Sequence, residues 1–223
     1  MRTRHTRSRH WLPLALCALL GAQAHAAGAP ASEASLTDAN RYLLLYSATG
    51  DEHFLVGLDA AGKRLEASLA QRQDADALRA LWAGYQQGRQ KLLADHAARK
   101  LDANAEMAQS LKLAEPLDAY LKAHPQATPD LADDLRQRAL LTARQANLRK
   151  VDGTRADAEA NDIKALDARI QQRIDALAKT EPALSESLAK RWRYLQISQS
   201  NGKLLLYPFN AQIEAMLGQL GGA

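Results

Sequence analysis

The chain has 223 residues, 24% of them charged and 47% hydrophobic, with a formal net charge of +4. Arg2, Arg4, Arg7 and Arg9 are four of its 29 basic residues, and the remainder match its 25 acidic residues. The excess positive charge therefore belongs to the first nine positions, and the rest of the chain lacks the basic footprint of a nucleic-acid-binding protein.

Those arginines open a pattern of export. A basic segment over 1–10 precedes an apolar run over 11–22, and Ala24-His25-Ala26 has the small-x-small form of a cleavage site. The run is shorter than the ~20 apolar residues that span a bilayer. The pattern predicts a signal peptide over 1–26 and a mature chain in the periplasm of a Gram-negative host, with no stable membrane span after cleavage. Cleavage also removes Cys17, the single cysteine, which excludes disulfides, thiolate catalysis and cysteine-ligated zinc from the mature chain.

Beyond residue 26 there are two valines and five isoleucines against abundant alanine and leucine, and no stretch alternates apolar and polar residues for long. That composition predicts an all-α fold. Residues 27–35 read as a disordered lead-in, 36–220 as one helical-bundle domain and 221–223 as a frayed tail. Helix A is expected over 36–72, with a stripe of Leu43, Phe54, Leu58, Ala61, Leu65 and Leu69. Helix B follows a turn at 73–76 and runs to 123, with Leu78, Leu81, Trp82, Tyr85, Leu92, His96, Met107, Leu111 and Leu121 facing inward. The loop His124-Pro125-Gln126-Ala127-Thr128-Pro129 supplies Thr128 as an N-cap and Pro129 as the first helical residue of helix C. Helix C carries Leu131, Leu135, Thr142, Ile163, Leu166, Ile170, Ile174 and Leu177, and helix D runs from Pro182 to Leu220. Four long helices with short connections predict an antiparallel up-down-up-down four-helix bundle of kinked helices, helix A alone being about 55 Å long.

Three of these helices are interrupted: at Ser47-Ala48-Thr49-Gly50-Asp51 with Gly57 and Gly62, at Val151-Asp152-Gly153-Thr154, and at Gly202 and Pro208. Thr154 reads as a cap, and an interior Pro208 clashes with the Leu204 carbonyl at a cost of about 3 kcal/mol. Matching heights across the expected bundle brings the interruptions into one layer. It holds His53 and Phe54 on helix A, His96 on helix B, and Tyr207, Phe209 and Asn210 on helix D. Glycine and proline gaps lined by imidazole, phenol and amide groups suit a small-ligand cavity. These six residues form the candidate ligand site, with no catalytic group, metal or cofactor assigned. A divalent metal on Glu52, His53 and His96 is a further reading, although neither H-E-x-x-H nor a paired Glu-x-x-His motif occurs. Asp51 and Glu52 read as carboxylates that favour a helix start.

The runs Tyr42-Leu43-Leu44-Leu45-Tyr46 and Lys203-Leu204-Leu205-Leu206-Tyr207 wrap most of a helix circumference and are candidates for a partner or self-association surface, including a homo-oligomer. Arg191-Trp192-Arg193-Tyr194 reads as a packing tryptophan flanked by solvated arginines, and 149–162 as a solvated face.

Asn40-Arg41-Tyr42-Leu43-Leu44, followed by Thr49-Gly50-Asp51-Glu52-His53-Phe54-Leu55 and an Ala/Leu amphipathic run, resembles the opening of extracellular four-helix sensor domains of the CHASE and PilJ types. The resemblance implies a bundle that senses or relays through contacts and transfers no ligand residues. The expectation is an exported, non-enzymatic bundle that binds an envelope partner protein or a small ligand. A ligand-free structural or adaptor protein is the alternative, and a metal protein or enzyme the third reading.

Overall fold

A computed structural model of the chain describes residues 28–73, 75–125, 128–200 and 205–221. The expected signal peptide and cleavage site, Gly202 and the last two residues of the tail lie outside the described residues. The fold is all-α, with eight helices among the described residues. They are α1 (Gly28–Thr49), α2 (His53–Ala70), α3 (Asp76–Ala97), α4 (Ala103–Ala123), α5 (Leu131–Val151), α6 (Gly153–Leu177), α7 (Pro182–Ser200) and α8 (Leu206–Gln219). The four long helices of the sequence reading are thus not formed. Each expected helix is divided near its middle into an antiparallel pair.

Local chemistry explains the reversals. Between α1 and α2, Gly50 takes φ +70, a left-handed conformation costly for other residues. Asp51 then accepts a hydrogen bond from the His53 amide at 2.9 Å, starting the new helix. Between α5 and α6, Asp152 accepts from the Arg155 amide at 3.2 Å and caps α6, the role expected of Thr154. The reversal between α3 and α4 was not expected. Arg99 adopts φ 53 there, and Asp102 caps α4 by accepting from the Ala105 amide at 2.8 Å. The α5 cap falls on Asp130 instead of Thr128, because Asp130 and Asp133 form a reciprocal capping box. Pro208 lies in the first turn of α8, where a missing N–H costs no intrahelical bond, so the expected kink is absent. A proline does occur inside a helix at Pro116 of α4, solvent-exposed and unforeseen.

Residues 28–35, expected as disordered, form the start of α1. Ser32 and Ser35 are buried there, and the Ser32 and Ser68 hydroxyls lie 2.6 Å apart.

The eight helices form two rings of four. In the first ring α1 packs on α2 and α4, and α3 on α4; α2 meets α3 through Glu66 with Trp82 and Asp59 with Arg89. In the second, α5 packs on α6 and α8, and α7 on α6 and α8. The helical stripes fill these rings. Leu43, Leu58, Ala61, Leu65, Leu69, Leu78, Trp82, Tyr85 and Leu92 share one core. Leu131, Leu135, Ile163, Leu166, Ile170, Ile174, Trp192 and Ile213 share another.

The rings meet along α1 and α5, which run parallel: Asp38 pairs with Arg136 at one end, and Ser47 with Asn147 at the other. This seam joins a third apolar cluster, with Leu44, Leu45 and Tyr46 of α1 against Leu140, Ala143 and Leu148 of α5, to a set of buried polar contacts. Asn147 is fully buried; its amide donates to the carbonyls of Leu44 and Ala143 at 2.8 Å each, and its oxygen accepts from Ser47 at 2.7 Å. Arg41 is also fully buried, contacting Asp38 at 3.0 Å and Glu214 of α8 at 2.5 Å. Burial pulls its pKa down, and the two carboxylates more than reverse that. Arg144 bridges Asp118 of α4 at 2.5 Å and Glu159 of α6 at 3.3 Å.

Candidate functional site

Alternating helix directions bring three reversals, at residues 50–52, 98–102 and 152, to one end of the molecule, together with the end of α7 and the start of α8. The residues expected in a mid-bundle layer therefore gather at an end. The expected layer falls where the helices reverse instead of where they cross.

His53, Phe54 and Tyr207 come together. The His53 and Tyr207 ring centroids are 5.8 Å apart, and Phe54 lies 6.1 Å from Tyr207 and 6.3 Å from His53. Phe54 is buried and anchors the cluster, whereas His53 and Tyr207 are exposed. His96 does not point inward as expected. It is exposed at the last turn of α3, with Nδ1 2.8 Å from Glu106 Oε2 and its ring edge-on to Tyr46 at 5.8 Å. The reversal at Ala98–Asp102 accounts for this, since it brings the buried carboxylate of Glu106 beside the histidine. Phe209 and Asn210 are separate from the others and buried. Phe209 packs in the second core with the Arg138 guanidinium 5.3 Å from its ring, and the Asn210 carbonyl oxygen lacks a hydrogen-bond partner.

Two further residues belong here: Glu106, which the sequence reading passed over, and Tyr46, which it placed in a candidate partner surface. Tyr46 is buried beneath His96, and desolvation, then the charges of Glu106 and Glu52, push its phenol above the ordinary range. Glu106 of α4 is buried and fixes the His96 ring through Nδ1. The spacing of Asp102 and Glu106, one helical turn apart after a Lys-Leu pair, was the available signal.

The glycine gaps expected to open a cavity are occupied. A Cβ on Gly57 would lie 2.6 Å from the Tyr42 ring, and one on Gly62 would lie 3.0 Å from Trp82. Both glycines are notches for aromatic rings.

The same end carries exposed apolar surface. Val56, Val151, Tyr194, Ile197, Leu205 and Tyr207 are the large apolar side chains left exposed among the described residues. Val56 is in the first turn of α2 and Val151 ends α5; Tyr194 and Ile197 occupy the last two turns of α7, Leu205 immediately precedes α8 and Tyr207 lies in its first turn. By contrast Trp192 is buried, as expected for the packing residue of its motif.

No group of three or more metal-ligating side chains occurs among the described residues, and no described helix is long and apolar enough to cross a membrane. Comparison of the chain with protein-family models, curated proteins and solved structures finds no match.

Proposed function

We propose that the protein is an exported, non-enzymatic helical protein that docks an envelope partner protein through the end where three of its hairpins turn. The observation that carries this reading is the confinement of exposed large apolar side chains to that end. Singly scattered apolar residues need no explanation, but a rim of six on adjacent helix ends does. Tyr207, tilted against both His53 and the anchored Phe54, has the form of an interface hot spot: a rigid aromatic with a polar tip on a packed base. The resemblance to sensor modules supports a role in relaying contacts, since the residues that carry it span the α1/α2 reversal at the same end.

A photo-crosslinking residue placed at Tyr207, in the native envelope, tests the proposal against the same residue placed at Glu181, beyond the opposite end of α6. Position 207 is expected to give a discrete protein adduct that Val56→Asp abolishes, and position 181 none. Equal labelling from both positions, or none at 207, overturns it. Export predicts a mature N-terminus at Ala27, read by N-terminal sequencing; a chain retaining Met1 would contradict it.

A further inference from the structure

Beside the docking end, a cleft of about 210 Å³ opens between α1, α4, α5 and the start of α8. Ala48, Met107, Ala146 and Leu206 give it apolar walls, and Arg149 and Lys150 lie at its edge. The other arginines of α5 are committed: Arg136 to Asp38 and Asp133, Arg138 to Asp167, and Arg144 to Asp118 and Glu159. Arg149 and Lys150 have no carboxylate partner among the described residues, and both are exposed. Thr142, also lining the cleft, is already engaged: its hydroxyl donates to the Arg138 carbonyl at 2.9 Å and accepts from Arg138 Nη1. The charge offered to an occupant is therefore wholly positive.

We infer that this cleft binds a short organic carboxylate, with its apolar tail on Met107, Leu206 and the two alanines and its carboxylate between Arg149 and Lys150. Size limits the tail. At ~30 Å³ per water the cleft holds about seven water volumes, which suits an acid of about six carbons. Met107 is an adaptable wall, because its unbranched thioether fits irregular shapes. Charge favours an anion: the C-terminus of α5 contributes about half a negative charge, and two full positive charges outweigh it. The helix dipole by itself accounts for one cation in the last turn. It does not account for an apolar pocket beside two of them. This inference does not rest on the docking proposal.

Hexanoate is the probe, titrated into the full chain carrying a ¹³C-methyl methionine label. The Met107 methyl resonance is expected to shift saturably, while Met216, buried in the second core, stays fixed. Hexanol carries the same tail without charge and acetate the charge without the tail; each is expected to bind at least tenfold more weakly. The Arg149→Gln/Lys150→Gln double variant is expected to weaken hexanoate at least tenfold. Ala146→Leu, which fills the cleft and keeps both cations, should abolish the Met107 shift and guards against a variant that perturbs the fold. The proposal fails if hexanoate does not move Met107, if hexanol matches hexanoate, if acetate alone saturates, or if Ala146→Leu leaves binding intact.

Discussion

The α1–α4 ring and the α5–α8 ring repeat the same order of hairpins, but among the described residues only the first seats aromatic rings on glycines. In the first ring Gly57 and Gly62 receive the rings of Tyr42 and Trp82, and Trp82 stacks on Tyr85 with centroids 5.1 Å apart. In the second ring Gly153 and Gly218 face nothing within 4 Å, and the core is closed by Ile163, Leu166, Ile170 and Ile174 of α6. The side chains missing at Gly57 and Gly62 are thus part of the packing, whereas those missing at Gly153 and Gly218, and at Gly84 of the first ring, are not. The same substitution is expected to have opposite signs at Gly57 and Gly218.

The largest effects test whether the rings unfold together. Leu65→Ala in the first core and Ile174→Ala in the second should each destabilise by about 2–5 kcal/mol, both positions being fully buried. Because apolar and polar contacts together fasten α1 to α5, urea unfolding of either variant should remain one transition at a lower midpoint. Two separated transitions would show the rings to be independent. Gly57→Ala should cost about 1–3 kcal/mol, as the Tyr42 ring is held by a 2.7 Å hydrogen bond to Glu214 and cannot retreat freely. Gly218→Ala should stabilise by ~0.5–1 kcal/mol, since it only removes backbone freedom from the unfolded chain. Equal effects at the two glycines would undo the contrast.

Acid titration sharpens the comparison between seam and surface. Burial raises the Asp118 and Glu159 carboxyls, and Arg144 between them offsets this only in part. Their folded-state values lie above the unfolded ones, so protonation favours the folded state. Their contribution is least favourable above the folded-state values and improves as pH falls through them. The stability of the native chain relative to Asp118→Asn/Glu159→Gln should therefore rise between pH about 7 and pH about 4, as measured by urea titration. Asp95, at the end of α3, behaves oppositely. A hydrogen bond from Lys91 holds it below the ordinary range despite desolvation, and Lys100 adds to the effect. Its contribution is present above its unfolded value and lost as pH falls through the folded one. Asp95→Asn should thus lower the melting temperature slightly at pH about 7 and leave it unchanged at pH about 2.

What the sequence made legible follows the range of the forces involved. The stripes of Leu43 to Leu69 and Ile163 to Ile174 are buried as expected, because a 3.6-residue period is a local property. Gly50 and Asp152-Gly153 were visible as interruptions. Whether they kink a helix or reverse it depends on what packs on the following segment, so one bundle of four long helices was expected where eight helices form. Arg99 gave no warning, since arginine rarely takes positive φ. The site was legible in part. His53, Phe54 and Tyr207 meet because they flank two reversals at one height, whereas Phe209 and Asn210 are buried by the helical turn that leaves Tyr207 exposed. The seam was not legible, because Arg41 and Glu214 are 173 residues apart and their pairing leaves no local pattern.

That separation has a kinetic consequence. Closing a contact between α1 and α8 orders nearly the whole chain, so it belongs to the late stage of folding. Until α8 docks, the Arg41 guanidinium keeps Asp38 but lacks Glu214, and Tyr42 lacks the acceptor that locks its ring against Gly57. The first ring thus reaches its final packing only after the last helix arrives. A chain delayed in this way stays pliable until its C-terminal helix is in place.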